Sequence, residues 1–192
     1  MADERNGDWM ATATGGQFWP MDPHADDVRL DDIANSLACT CRFNGHMKDC
    51  TFYSVAQHAV LVSLHVGVDL VVQQQAMLHD SGEACGFGDI IRPVKGALWI
   101  VGGRHTVGYA ERKAMEVVLE HFSIPFPRRD ESHFIGIADA CALLTERRDL
   151  MLDQDLEWST TGEPWPEVIV PLMPREAKKL FLARAKELGI KD

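Results

Sequence analysis

Apolar residues recur along this chain every three to four positions, and almost nowhere do they alternate. Leu30, Ile33, Ala34 and Leu37 fall at i, i+3, i+4 and i+7, which paints one apolar stripe on a helix. Val55, Ala59 and Val62 do the same, as do Ala110, Ala114, Val117 and Val118, and then Ile135, Ala142 and Leu143. A period near 3.6 with no sustained period of 2 predicts an all-α fold, a compact helical bundle. The local signals place helices from about Asp26, from an N-cap at Ser54 to about Val66, and from Asp69 through His79 to about Ala84. Further helices are expected from Tyr109 to Phe122, from Glu131 to Leu152, and from Pro174 to a stop at Gly189. Gly82, Gly86 and Gly88 then break regularity, and Arg92-Pro93 opens a short turn or helix. Residues 1–25 read as a loose arm, Ala-, Thr-, Gly- and Asp-rich and then Pro-punctuated, and residues 26–192 as one domain closed by the last helix. At 192 residues the chain is long enough for one self-sufficient core.

Charge narrows the range of partners. Nineteen Lys and Arg against 29 Asp and Glu leave a net charge of −10. Such a surface repels a phosphate backbone, so a nucleic-acid polymer is not the expected partner, although a small anion in a locally basic pocket remains open. No run approaches the 18 or so apolar residues of a membrane span, and the first residues lack the apolar stretch of a secretory signal. Cys39, Cys41, Cys50, Cys85 and Cys141 are odd in number and form no CxxC pair, which fits reduced thiols in a cytoplasmic protein.

The chemistry lies where the stripes are wrong. His58 sits within the apolar stripe of its helix. Val72, Ala76, His79 and Glu83 recur at spacings of four, three and four, with Asp80 one step around. Asp139 and Glu146 lie on the stripe of Ile135, Ala142 and Leu143. A buried, unpaired carboxylate is very costly, and a divalent cation shared between helices offsets that cost. Two imidazoles with two carboxylates suit a borderline first-row ion such as Zn, Co or Mn.

The order His58, His79-Asp80, Asp139 resembles the HD-domain metal phosphohydrolases. The resemblance runs from about Asp26 to Leu152. It rests on Tyr53-Ser54-Val55-Ala56-Gln57-His58, Leu78-His79-Asp80-Ser81-Gly82-Glu83-Ala84, Gly88-Asp89-Ile90-Ile91-Arg92-Pro93-Val94-Lys95, and Ala138-Asp139 followed by Thr145-Glu146-Arg147-Arg148-Asp149-Leu150-Met151. Within that superfamily it is similar to the branch of bacterial 5′-deoxynucleotidases and phage-encoded deoxynucleoside triphosphate hydrolases. The resemblance implies that His58, His79, Asp80 and Asp139 bind one divalent metal and that Glu83 orients or deprotonates the attacking water. It implies a nucleotide contact at Arg42 with the aromatic Phe43 beside it, a sugar contact at Asp89 and a phosphate contact at Lys95. The link from Glu83 to Asp89 is one residue longer than usual. Where relatives carry a lysine before the last aspartate, this chain has Phe134-Ile135-Gly136-Ile137, leaving Arg92 or Arg104 for a second phosphate contact.

The implied reaction is hydrolysis of a deoxynucleotide at the α-phosphorus. The first expectation is a dNTP triphosphohydrolase of dATP type, with Mg accompanying the triphosphate. The alternatives are a 5′-deoxynucleotidase acting on dNMPs and a non-catalytic nucleotide sensor. A homo-oligomer is expected, from family habit and from apolar surface at Trp19, Trp99 and the last helix.

Overall fold

The computed structural model describes residues 5–67, 69–102, 107–152 and 158–192, with the backbone alone for 99–102. The chain is all-α. Its helices are α1 (Leu30–Cys39), α2 (Val55–His65), α3 (Leu70–Met77), α4 (Arg92–Gly102), α5 (Val107–His121), α6 (Arg129–Leu150) and α7 (Pro174–Glu187). Extended pairing among the described residues is confined to a two-residue hairpin, β1 (Met10–Ala11) with β2 (Gln17–Phe18), and one bridge between Cys41 and Ser54.

Helix α2 is the axis of the bundle. It packs against α1, α3, α6 and α7. Its sequence VAQHAVLVSLH has little polar face, as a helix covered on all sides requires. Val55, Ala56 and Ala59 are fully buried in one core cluster with Leu37, Met77, Leu78 and Phe181, and Val62 is fully buried in a second with Ala76, Ile135 and Ala142. His58 is buried among these residues with no exposed surface at all. The start of α2 is fixed as the sequence predicts. Ser54 Oγ accepts the Gln57 N–H at 3.1 Å, satisfying one of the orphan donors of the first turn. At the other end of the chain Glu176 accepts the Met173 N–H, and Pro174 opens α7.

Three segments differ from the sequence reading. First, the helix expected from Asp26 starts at Leu30, because Val28 is buried in extended backbone and Arg29 is extended too. The Leu30 N–H is then capped from far away, by Asp192 Oδ1 at 2.9 Å. Second, residues 5–25 are docked rather than loose. Arg5 donates to Asp27 Oδ2 at 2.6 Å, Thr14 donates twice to Asp32, and Phe18 enters the core. Composition hid this because the ties are long-range side-chain contacts. Third, the helix through His79 is broken. α3 stops at Met77, residues 78–80 form a turn, and a wide helical turn follows over Glu83–Phe87, closed by the Gly88 N–H to the Glu83 carbonyl at 3.0 Å. Such wide turns concentrate at functional sites.

Two glycines make room around that turn. A Cβ on Gly82 would stand 2.4 Å from the Glu111 carbonyl, so its absence lets α5 lie directly on the His79–Glu83 segment. Gly86 has φ +100°, and a Cβ there would meet Met10 and Pro20 of the docked arm. The turn that carries the candidate chemistry is thus held between α5 on one side and the N-terminal arm on the other.

Candidate functional site

His58 from α2, His79 and Asp80 from the turn after α3, and Asp139 from α6 meet at one point. His58 Nε2 lies 3.3 Å from His79 Nε2, 3.2 Å from Asp139 Oδ1 and 3.6 Å from Asp80 Oδ2. His79 Nε2 lies 3.3 Å from Asp80 Oδ2. The break in helix at residues 78–80 makes this possible, since adjacent residues on a continuous helix point about 100° apart. In the turn, His79 and Asp80 face the same centre.

The outer nitrogens decide what the inner ones can do. His79 Nδ1 lies 2.7 Å from the Ala76 carbonyl, which only accepts, so Nδ1 carries the proton. His58 Nδ1 lies 2.7 Å from Glu146 Oε1. Glu146 is wholly buried. Burial works to raise its pKa, but Arg42 and His58 outweigh that and hold its carboxyl below the usual range. An ionised carboxylate accepts, so His58 Nδ1 donates. In the neutral form both imidazoles therefore turn an Nε2 lone pair inward, toward each other and toward two carboxylate oxygens. Four electron-rich atoms at 3.2–3.6 Å repel unless a cation sits among them. Ligands about 2.0–2.2 Å from a zinc-like ion stand roughly 3.0–3.6 Å from one another. The group of His58, His79 and Asp139 could hold a metal ion, and Asp80 is within reach of the same centre. A proton is the competing cation. Burial and Arg42 disfavour a charged His58, yet Glu146 and Asp139 more than compensate and lift its pKa to about 9.

A second ring of charge orients the first. Arg42 is buried. It donates through Nε to Glu146 Oε2 at 3.1 Å, with Nη2 3.0 Å from the same oxygen and Nη1 3.7 Å from Asp80 Oδ2. Burial opposes the Arg42 charge, and Glu146, Asp80 and Asp139 restore it. Arg42 enters a strained turn: Phe43 and Asn44 have φ of +55° and +53°. Asp89 Oδ2 pins that turn by accepting the Phe43 N–H at 3.0 Å. Arg92, largely exposed, donates to Asp139 Oδ2. Burial favours protonation of Asp139, but His58 and His79 hold its carboxyl well below the usual range.

Glu83 stands beside this cluster but apart from it. It is 5% exposed, and its Oε1 accepts from Lys95 Nζ at 3.2 Å. Its Oε2 is buried without a partner. Burial is the largest influence on Glu83 and, reinforced by Asp80, lifts its pKa to about 9.

Of the ten predicted site residues, all except His58 and His79 line one cleft of about 650 Å³, and those two meet Asp139 of its lining in the group that could hold a metal ion. The volume suits a small organic ligand. His46, Ile90, Ile91, Pro93, Leu143, Met151, Trp158, Ser159 and Thr160 complete the wall, with the Phe43 and Trp158 rings 6.4 Å apart. Arg104 and the Trp99 side chain lie outside the described residues. The sequence reading left several of these residues without a role. Glu146 had a visible signal, an acid on a buried stripe. Trp158 and Thr160 sit in irregular chain, where no periodicity points inward.

No protein-family model matches this sequence. The chain is 36% identical over 185 residues to the uncharacterized protein YfdR of Escherichia coli (strain K12), which covers 94% of this chain and 96% of that protein. It belongs to the YfdR family. A second relative, the uncharacterized protein RCAP_rcc00048 of Rhodobacter capsulatus, is 35% identical over 95 residues, covering 47% of this chain and 48% of that protein. No helix among the described residues is long and apolar enough to cross a membrane.

Proposed function

We propose that this member of the YfdR family is a metal-dependent phosphohydrolase that cleaves deoxynucleotides at the α-phosphorus. The observation that carries the reading is the convergence of two imidazole lone pairs and two carboxylates beside a buried Glu83 with one free oxygen. His58, His79, Asp80 and Asp139 would hold a divalent ion, and that ion supplies Lewis acidity toward water and the phosphoryl oxygens. The remaining work falls to the chain itself. Glu83 Oε2 accepts a proton from the attacking water while Lys95 steadies Oε1. The electron pair of the broken O–H bond forms the new O–P bond. The P–O5′ bond breaks, and its oxygen leaves with the pair and is then protonated. Glu146 keeps His58 in its Nε2-inward tautomer, and Arg42 keeps Glu146 ionised. Phe43 and Trp158 offer ring faces and edges to a planar base.

Two substrates share this chemistry. The family resemblance favours a dNTP, dATP first, releasing deoxynucleoside and tripolyphosphate. One observation favours the monophosphate instead. Arg42, Arg92 and Lys95, the Arg and Lys residues lining the cleft among the described residues, are each engaged by a carboxylate, through Glu146, Asp139, and Glu83 with Glu111. Outer phosphates would have to displace these partners. Product analysis with a panel of dNTPs and dNMPs in the presence of Mn, Co, Zn or Mg separates the readings. Tripolyphosphate from dATP supports the first, and orthophosphate from dAMP alone supports the second. Binding of nucleotides without cleavage of any of them would overturn hydrolysis in favour of a sensor.

A further inference from the structure

Two aromatic rings in the cleft are each backed by a guanidinium. Arg42 lies over the Phe43 ring, 5.3 Å from its centroid, and Arg147 lies over the Trp158 ring at 5.0 Å. Both supports lead to adjacent residues of α6: Glu146 holds Arg42, and Arg147 is the next residue. Leu143 and Met151, four positions before and after Arg147, line the cleft, so Arg147 lies on the side of α6 that faces it. Trp158 belongs to irregular chain, and no sequence motif marks it. The helix that brings Asp139 to the metal cluster therefore also carries the support of Trp158. The two lie eight residues apart, about 12 Å along the axis, a span comparable with the length of an extended nucleoside monophosphate.

The two rings make a corner. Their planes stand at 61° with centroids 6.4 Å apart. A base sandwiched between two rings needs them parallel and about 7 Å apart, twice the closest carbon–carbon separation. A corner instead takes a base flat against one ring, with the other ring beside it. We propose that Trp158 is a specificity-determining residue on which the base of the substrate stacks, that Arg147 is the positioning residue that fixes the indole for it, and that the cleft therefore prefers purine deoxynucleotides. Two fused rings cover more of an indole than one ring does. Ser159 and Thr160 line the cleft next to Trp158, and a hydroxyl both donates and accepts, so neither imposes adenine over guanine. The choice of nucleotide as ligand rests on the hydrolase reading; the corner itself does not.

The test is calorimetric titration of the full-length chain with dAMP, dCMP and 2-deoxyribose 5-phosphate, in a Glu83→Gln background so that no probe is consumed. With Trp158 present, dAMP binds more tightly than dCMP, and both bind more tightly than the sugar phosphate. Trp158→Ala weakens dAMP by roughly 5- to 150-fold, the worth of one stacked base, weakens dCMP less, and leaves the sugar phosphate unchanged. That last probe also reports whether the variant is folded. Trp158→Phe recovers most of the loss. Arg147→Met weakens dAMP by about 2- to 5-fold, and Arg147→Lys, which keeps the cation, restores it. A Trp158→Ala variant that binds all three probes as before, or weakens them all alike, overturns the proposal, as does the absence of any nucleotide binding. Hydrolysis by the wild-type protein is scored separately on the same probes. A base-dependent loss in Trp158→Ala with no hydrolysis by wild type would remove the hydrolase reading and leave the base platform standing. Wild-type cleavage of dAMP and 2-deoxyribose 5-phosphate with equal kcat/KM would remove the platform and leave the hydrolase.

Discussion

Glu83→Gln is expected to lower turnover of the proposed deoxynucleotide substrate by roughly 10²-fold or more, the usual worth of a positioned acid–base group, while metal content stays at the wild-type level. Glu83 lies outside the cluster of His58, His79, Asp80 and Asp139, and its tie is to Lys95. The variant also separates chemistry from stability. The folded-state pKa of Glu83 is raised, from an ordinary 4.5 to about 9. Between those values the folded protein binds more protons than the unfolded chain, so this group's contribution to stability falls as pH rises through that window. Glu83→Gln carries no such titration. Urea unfolding of the variant should therefore lose less stability than wild type between pH 5 and pH 9, a difference on the order of 1–3 kcal/mol. Near-normal turnover in the variant would remove Glu83 from the reaction.

Glu146→Ala is expected to be the most damaging single change to the structure. The carboxylate is fully buried, and both its oxygens are used: Oε1 by His58 and Oε2 by Arg42. Removing one partner of a buried pair leaves the other charge uncompensated, at a cost of about 3–5 kcal/mol. It also frees His58 to rotate or change tautomer, and loss of such an outer partner typically weakens metal binding by about 10–100-fold. Glu146→Gln keeps the volume and an acceptor but not the charge, and should fall between. The pH dependence runs opposite to that of Glu83. The folded pKa of Glu146 is lowered, so the folded state binds fewer protons. Its contribution is present above the ordinary carboxylate pKa and is lost as pH falls through the lowered one. Acid unfolding below about pH 4.5 should thus narrow the gap between wild type and Glu146→Gln. Equal stability of the two at pH 7 would show that the Arg42–Glu146–His58 chain contributes nothing net.

Much of this arrangement was legible in sequence because burial and polarity conflict on a helix. His58, Asp139 and Glu146 occupy positions that a 3.6-residue period reserves for apolar side chains; His58 and Glu146 are fully buried, and Asp139 is half-buried in the wall of the cleft. The cap at Ser54 was legible from local sequence too. What escaped was whatever depends on distant chain. A continuous helix through His79 matched the apolar period, yet residues 78–80 form a turn from which both His79 and Asp80 reach His58 Nε2. The family resemblance assigns Arg42 a nucleotide contact, and nothing local announces that Glu146, 104 positions away, holds its guanidinium as well. The resemblance likewise assigns Lys95 a phosphate contact, and its hydrogen bond to Glu111 comes from a separate helix that no motif marks. The docking of residues 5–25 depends on Asp27, Asp32 and the space above Gly86, none of which composition reveals.

The whole account depends on the inward lone pairs of His58 and His79 being met by a metal. Elemental analysis of the purified protein, after exhaustive dialysis against metal-free buffer, tests this directly. The account predicts one divalent transition metal per wild-type chain, and its loss in His79→Ala and in Asp139→Ala while circular dichroism retains the helical signal. An active wild-type protein with no metal, or equal metal content in wild type and both variants, would contradict it.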